Sequence, residues 1–211
     1  MEKQLSVEVV QETSWNRALN AARRTAGKEP IKKEPSAEWK RMSLFAEHSQ
    51  IKLVEYRISF KNLRQWVGVH LLRHEHTLPF IHSQREDRNK AVAKQTEKVM
   101  QILKADAEQY LDWRARDFML QGERNEQDFY VNAQTLINIS RKRLCSCASP
   151  ETRQAWTLVK KAITEQDPDM GAMMVPNCIY RGRCPERESC GYYKSEVFMI
   201  ELNNYWKLIG R

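Results

Sequence analysis

The sequence has no apolar run near the ~20 residues that a membrane-spanning helix needs. Its first residues, Met1-Glu2-Lys3-Gln4, lead into no apolar stretch of the secretory kind, so a cytoplasmic location is expected. Internal repeats are missing, which excludes a solenoid. Also missing is the basic–aromatic alternation that stacks single-stranded bases, so a nucleic-acid-binding module ranks last among the functions considered. Paired Cys-x2-Cys is absent too. Five cysteines without a signal peptide read as thiols or metal ligands rather than disulfides. Cys178, Cys184 and Cys190, spaced Cys-x5-Cys-x5-Cys, match no strong zinc pattern. Free thiols are the expectation, and these three would be the ligands if a metal were held.

What is present is an ordinary globular balance, 41% hydrophobic and 29% charged, in 211 residues. That length suffices for a single domain over 1–211 with its own core. Lys and Arg number 35 against 27 acids, a net charge of +8. Such a balance suits anionic partners, either nucleic acid or small phosphorylated molecules.

The local signals are mostly helical. Trp15–Thr25 reads as a short helix, Lys28–Pro35 as a proline-bounded connector, and Ser36 as the cap of a second helix. Val54–Phe60 alternates apolar and polar residues, the pattern of a half-buried strand. Asn62 is placed to cap a third helix carrying Leu63, Trp66, Val67 and Leu71. Arg73 to Arg88 reads as a polar loop, Asn89–Leu120 as a long helix, and Gly122–Asp128 as a charged turn. A further helix is expected over Tyr130–Cys147, and Pro150 opens another. Beyond Pro168 the chain reads as irregular, with 170–211 a cysteine-rich extension ending in the apolar tail Val197–Ile209. Helices dominate a sheet too small for a doubly wound fold, so the class is α+β.

Chemistry concentrates in Arg73-His74-Glu75-His76-Thr77-Leu78-Pro79-Phe80-Ile81-His82-Ser83-Gln84-Arg85. Arginine forks match phosphate oxygens in two bonds, and a nearby hydroxyl adds a third donor. Arg73-His74-Glu75, seven residues, then Ser83-Gln84-Arg85 resembles the signature of the flavin-dependent thymidylate synthases. Downstream, Arg116, Asn132, Gln134, Asn138, Arg143, Ala148 and Glu151 fit further family positions, as do His48 and Ala21-Ala22-Arg23 upstream. The resemblance covers about a hundred residues at fixed spacing.

It implies an α+β fold with a small, mostly antiparallel sheet and several long helices. It also implies one-carbon transfer from methylenetetrahydrofolate to C5 of dUMP or a close relative, with FAD as cofactor and NADPH as reductant. A homotetramer follows, its sites drawing on several subunits. By resemblance His70, Arg73, Ser83, Gln84, Arg85, Arg116 and Arg143 hold the nucleotide, and Arg143 is the catalytic residue that polarises the uracil N3 edge. His48, Gln50, Arg73, His74, Glu75, Ile81, Asn132, Gln134 and Asn138 fall on flavin positions. Helical spacing puts Asn132, Arg143 and Cys147 within about 60° of one face.

The chain departs from the family pattern where Glu75 and Gln134 replace arginines, Phe80-Ile81 replace a polar pair, and Cys147 replaces a histidine. Losing two cations and gaining an anion weakens diphosphate binding by a few kcal/mol. The runner-up is therefore a catalytically silent homologue that binds nucleotides as a regulator or assembly partner.

Overall fold

A computed structural model describes residues 4–84 and 120–210. Its elements are strand β1 (Ser6–Gln11), helices α1 (Trp15–Thr25) and α2 (Ala37–Phe45), strand β2 (Glu55–Arg64), helix α3 (Gln65–Leu72), and strands β3 (Leu78–Ile81) and β4 (Arg124–Asn132). Helices α4 (Ala133–Arg143), α5 (Pro150–Gln166), α6 (Pro168–Met173), α7 (Asn177–Arg181) and α8 (Glu196–Leu208) follow. The strands form one antiparallel sheet in the order β1-β2-β4-β3. The α+β class with a small sheet is what the chain adopts.

One sheet face builds the core. Tyr56, Ile58 and Phe60 on β2 and Phe129 and Val131 on β4 alternate inward and are buried, as a two-residue period requires. Phe60 and Phe129 meet edge to face at 5.5 Å. From α5, Ala155, Trp156, Val159 and Ile163 join the same core, as do Val67 and Leu71 from α3. Trp156 donates its indole N–H to Ser140 Oγ at 2.9 Å, so the buried ring leaves no orphan donor. Gly68 is needed where α3 crosses β4, because a Cβ there would stand 2.0 Å from Gln127 Oε1.

A second buried knot joins the helices. Asp167, 3% exposed between α5 and α6, accepts from Trp15 Nε1, caps Met170 N at 3.2 Å and faces Lys40 Nζ at 3.5 Å. Three partners offset the cost of burying that carboxylate.

Several local expectations change on pairing. The helix over Trp15–Thr25, the Ser36 cap (accepting from Trp39 N) and the Pro150 start hold. Asn62 caps nothing: it sits inside β2 at φ +62°, at the register shift between Phe60 and Leu63, and α3 starts after Arg64. Asparagine tolerates the left-handed region, which suits it to a bulge as well as to a cap. Most of the charged turn over Gly122–Asp128 is the first half of β4, because β2 and β3 supply partners on both sides. Tyr130 and Val131 belong to that strand, and α4 ends at Arg143, short of Cys147. The C-terminal stretch is more regular than its composition suggests, since α8 buries Phe198, Leu202 and Tyr205. The long helix expected over Asn89–Leu120 lies outside the described residues, apart from Leu120.

Candidate functional site

Helix α4 positions most of the candidate residues. Asn132 is its N-cap, the side-chain oxygen accepting from Thr135 N at 2.9 Å. Leu136, Ile137 and Ile139 anchor it in the core. At 3.6 residues per turn, Gln134, Asn138 and Arg141 share one face, and Arg143 lies about 140–180° away from each of them. The helix therefore splits the candidates into two groups.

The first group surrounds Arg143. Its Nη2 donates to the His70 carbonyl at 2.7 Å and its Nε to His74 Nε2 at 3.1 Å. An imidazole nitrogen that accepts carries no proton, so His74 is neutral with its proton on Nδ1. Burial first, then the charges of Arg143 and Lys142, push the His74 pKa down to about 4. His70 is lowered by the same means, burial ahead of Arg143 and Arg73, and its ring lies 3.4 Å from Thr152 Oγ1. Arg73 is exposed beside them, and its charge adds to the burial that disfavours the Arg143 cation. Two guanidiniums and two neutral imidazoles thus gather here, and among the described residues no carboxylate is paired with either arginine, a charge pattern suited to an anion.

The second group surrounds Glu47, in the left-handed region at φ +51°. Its carboxylate accepts from Gln134 Nε2 at 2.6 Å and from both terminal nitrogens of Arg141, whose guanidinium stacks on Tyr180 at 3.7 Å. Burial raises the Glu47 pKa, but the hydrogen bonds from Arg141 and Gln134 outweigh it and hold the carboxyl below its usual range. Gln134 also reaches Asn138 Oδ1 at 3.3 Å, and the short turn that begins after His48 and contains Gln50 packs on α4. The Gln134 and Asn138 amides at this edge are groups of the kind that a flavin rim hydrogen-bonds, and Arg141 neutralises the Glu47 carboxylate beside them.

Sequence reasoning missed Glu47, Arg141 and Tyr180. The stripe Gln134–Asn138–Arg141 was available as a helical period, but Glu47 is 94 residues from Arg141 and carries no local signal. His74, which falls on a flavin position by resemblance, accepts a hydrogen bond from Arg143. Glu75 keeps its side chain exposed while its carbonyl accepts from Thr135 Oγ1 at 3.2 Å. β3 separates the signature into two ends: Arg73 precedes it, Ser83 and Gln84 follow it, and the strand spans roughly 10 Å. Ile81 lies in that strand, opposite Gln127. Arg85 and Arg116 lie outside the described residues. Cys147, beyond the end of α4, does not share the face of Arg143.

The outer sheet face carries a separate groove of about 1040 Å³ between Glu12, Glu55, Asp128, Phe80, Tyr130 and Asn132. Among the described residues its lining holds three carboxylates and neither lysine nor arginine, so that face disfavours phosphate.

This architecture is the ThyX-like α+β fold. A UMP/dUMP methylase, PolB from Streptomyces cacaoi bound with 5-Br dUMP, superposes with a TM-score of 0.62 at 14% identity, covering 81% of this chain and 94% of that one. Thymidylate synthase X from Helicobacter pylori, with FAD and dUMP, superposes at 0.61 and 16% identity, covering 80% of this chain and 97% of its own. A further structure of that synthase with the same ligands gives 0.60 and 15%, with 80% and 99% covered. No family model and no curated protein matches the sequence. The chain is thus a divergent carrier of the ThyX-like fold. No helix among the described residues is long and apolar enough to cross a membrane.

Proposed function

We propose that the chain transfers a one-carbon unit to C5 of dUMP or a closely related pyrimidine deoxynucleotide. The observation that carries this reading is Arg143, a cation aimed by the His70 carbonyl and by a neutral His74, in a fold whose solved examples bind dUMP. A guanidinium at the N3 edge of a uracil ring stabilises negative charge on the base and makes C5 more nucleophilic. Because His74 accepts rather than competes as a cation, it orients Arg143 without lowering the local positive charge. Arg73, with Arg85, Arg116, Ser83 and Gln84, would complete the phosphate contacts.

FAD would lie against His48, Gln50, Gln134 and Asn138, supplying once reduced the hydride that the protein's own side chains lack. Methylenetetrahydrofolate is the one-carbon donor in this reading and NADPH the reductant. The division of candidates between opposite faces of α4 supports a homotetramer, in which one chain's Arg143 face and another's Gln134 face close a common site. The reading treats 1–211 as a single cytoplasmic domain.

A second reading rests on Gln134, which spends its amide on Glu47 at a position where the family has a free cation. A chain so altered could bind the nucleotide as a silent homologue. Titration calorimetry with dUMP, the absorbance spectrum of purified protein and light scattering separate the two. Yellow tetrameric protein that binds dUMP supports the enzyme. Colourless protein that binds dUMP and ignores added FAD supports the silent homologue, and failure to bind dUMP overturns both.

A further inference from the structure

Helix α5 turns neighbouring faces to two different places. Its buried Thr152 lies 3.4 Å from His70 Nδ1, beside the Arg143 cluster. Arg153, Thr157 and Lys160, at spacings of four and three residues, fall within about 60° of one another on the next face. They wall a cavity of about 350 Å³, bounded on other sides by Ser146 just past α4 and by Tyr192 and Glu201 of the C-terminal stretch. Arg143, His70 and His74 are not in its lining, so the cavity and the Arg143 cluster are separate places in the fold.

The cations of this cavity lack partners inside the protein. Among the described residues, neither the Arg153 guanidinium nor the Lys160 ammonium makes an ion pair or a hydrogen bond, although both side chains are partly buried. Glu201, the one carboxylate in the lining, accepts instead from the Tyr192 hydroxyl. Burial pushes the Lys160 pKa down, and the Glu201 charge offsets only part of that. A partly buried ammonium without a hydrogen-bonded counter-ion is a local cost that an anion from outside relieves.

We propose that this cavity is a second anion site, which takes the phosphate group of a small phosphorylated molecule between Arg153 and Lys160. The arginine offers a planar fork and the lysine a point charge, both from one rigid helix face. The Ser146 hydroxyl, in the same lining, adds a neutral donor. Leu144, Pro176 and the Tyr192 ring give the rest of the ligand an apolar wall. The volume is at the small end of the roughly 300–1,000 Å³ typical of ligand pockets, which suits a compact monoester rather than a dinucleotide.

The cavity also holds its own reporters, because Cys145 and Cys190 line it and Cys184 does not. The full-length reduced protein, free of nucleotide, is alkylated with iodoacetamide, with and without inorganic phosphate at constant ionic strength. Mass spectrometry then reads the rate at each cysteine. Phosphate should slow Cys145 and Cys190 by about tenfold at about ten times its Kd and leave Cys184 unchanged. Lys160→Met and Arg153→Gln should each raise the phosphate concentration needed by at least about tenfold, whereas Arg143→Ala should keep the protection. Circular dichroism checks that the variants fold. Carbamylation of Lys160 in the unaltered protein, slowed by phosphate in parallel with Cys145, gives a readout that needs no variant. Equal protection by sodium chloride overturns the site, as does unchanged reactivity of Cys145 and Cys190. So does protection that survives in both Lys160→Met and Arg153→Gln. Protection lost in folded Arg143→Ala also overturns it, placing the phosphate at the Arg143 cluster. None of these outcomes depends on dUMP or FAD.

Discussion

The two sides of helix α4 use arginine in opposite ways. Arg141 meets a carboxylate, an aromatic ring and a share of burial, and its charge is consumed inside the protein. Arg143, two residues on, meets among the described residues a backbone carbonyl and a neutral imidazole and no carboxylate. One arginine is tied into the fold and the other is the residue proposed to meet the nucleotide, although composition and neighbourhood in the sequence scarcely distinguish them. The difference lies in what each side faces: Glu47 comes from the turn after α2, whereas His70 and His74 come from the end of α3.

The strongest way to break this comparison is to remove Arg141. Arg141→Ala leaves the Glu47 carboxylate half-buried with one amide for company, and stability should fall by about 3 kcal/mol. Chemical denaturation measures it, and a loss below about 1 kcal/mol would mean that the pair is solvated like a surface ion pair. Affinity for dUMP, measured on the fraction still folded, should change far less.

Arg143→Ala should show the reverse pattern. Binding of dUMP should weaken by about 1.5–3 kcal/mol, as for a lost charged hydrogen bond. The melting temperature without ligand should move little, because few packing contacts depend on this side chain. Normal binding together with early unfolding would place Arg143 in the same structural role as Arg141 and remove the proposed nucleotide site.

Asn132→Ala sharpens the contrast by acting on both faces at once. Loss of the cap on α4 should cost about 1 kcal/mol. Hydrogen exchange should then rise in the first turn of α4, with the Arg143 end less affected.

The two faces also separate by pH. His74 has its folded pKa depressed to about 4, so the unfolded chain binds its proton first. Its contribution to stability is complete above the unfolded value near 6.5 and is lost as pH falls from there to about 4. Glu47 is also depressed, and its contribution is lost only below the ordinary carboxyl range, as pH falls through its lowered folded pKa. Acid titration of stability should therefore show the His74 loss first. His74→Gln should remove the earlier loss and Glu47→Gln the later one. A single unchanged transition in both variants would show that neither group is perturbed by its face of α4.

What the sequence determined by itself is whatever rests on short-range chemistry. The α1 limits, the Ser36 cap and the proline start of α5 are set by residues within a few positions of one another, so periodicity and capping rules reach them. Motif spacing likewise carried the fold class, because several matches at fixed intervals constrain one another. Only the tertiary structure decided that residues 124–128 are strand, that Asn62 is a bulge, and that β1, with its three valines, pairs with β2. A strand is stable only against its neighbours, and those of β4 lie 46 to 77 positions back along the chain. For the same reason only the fold could assign the two arginines of α4. Their charges are identical, and what each one does is set by the group that long-range packing places opposite it: Glu47 for Arg141, and for Arg143 an imidazole without charge.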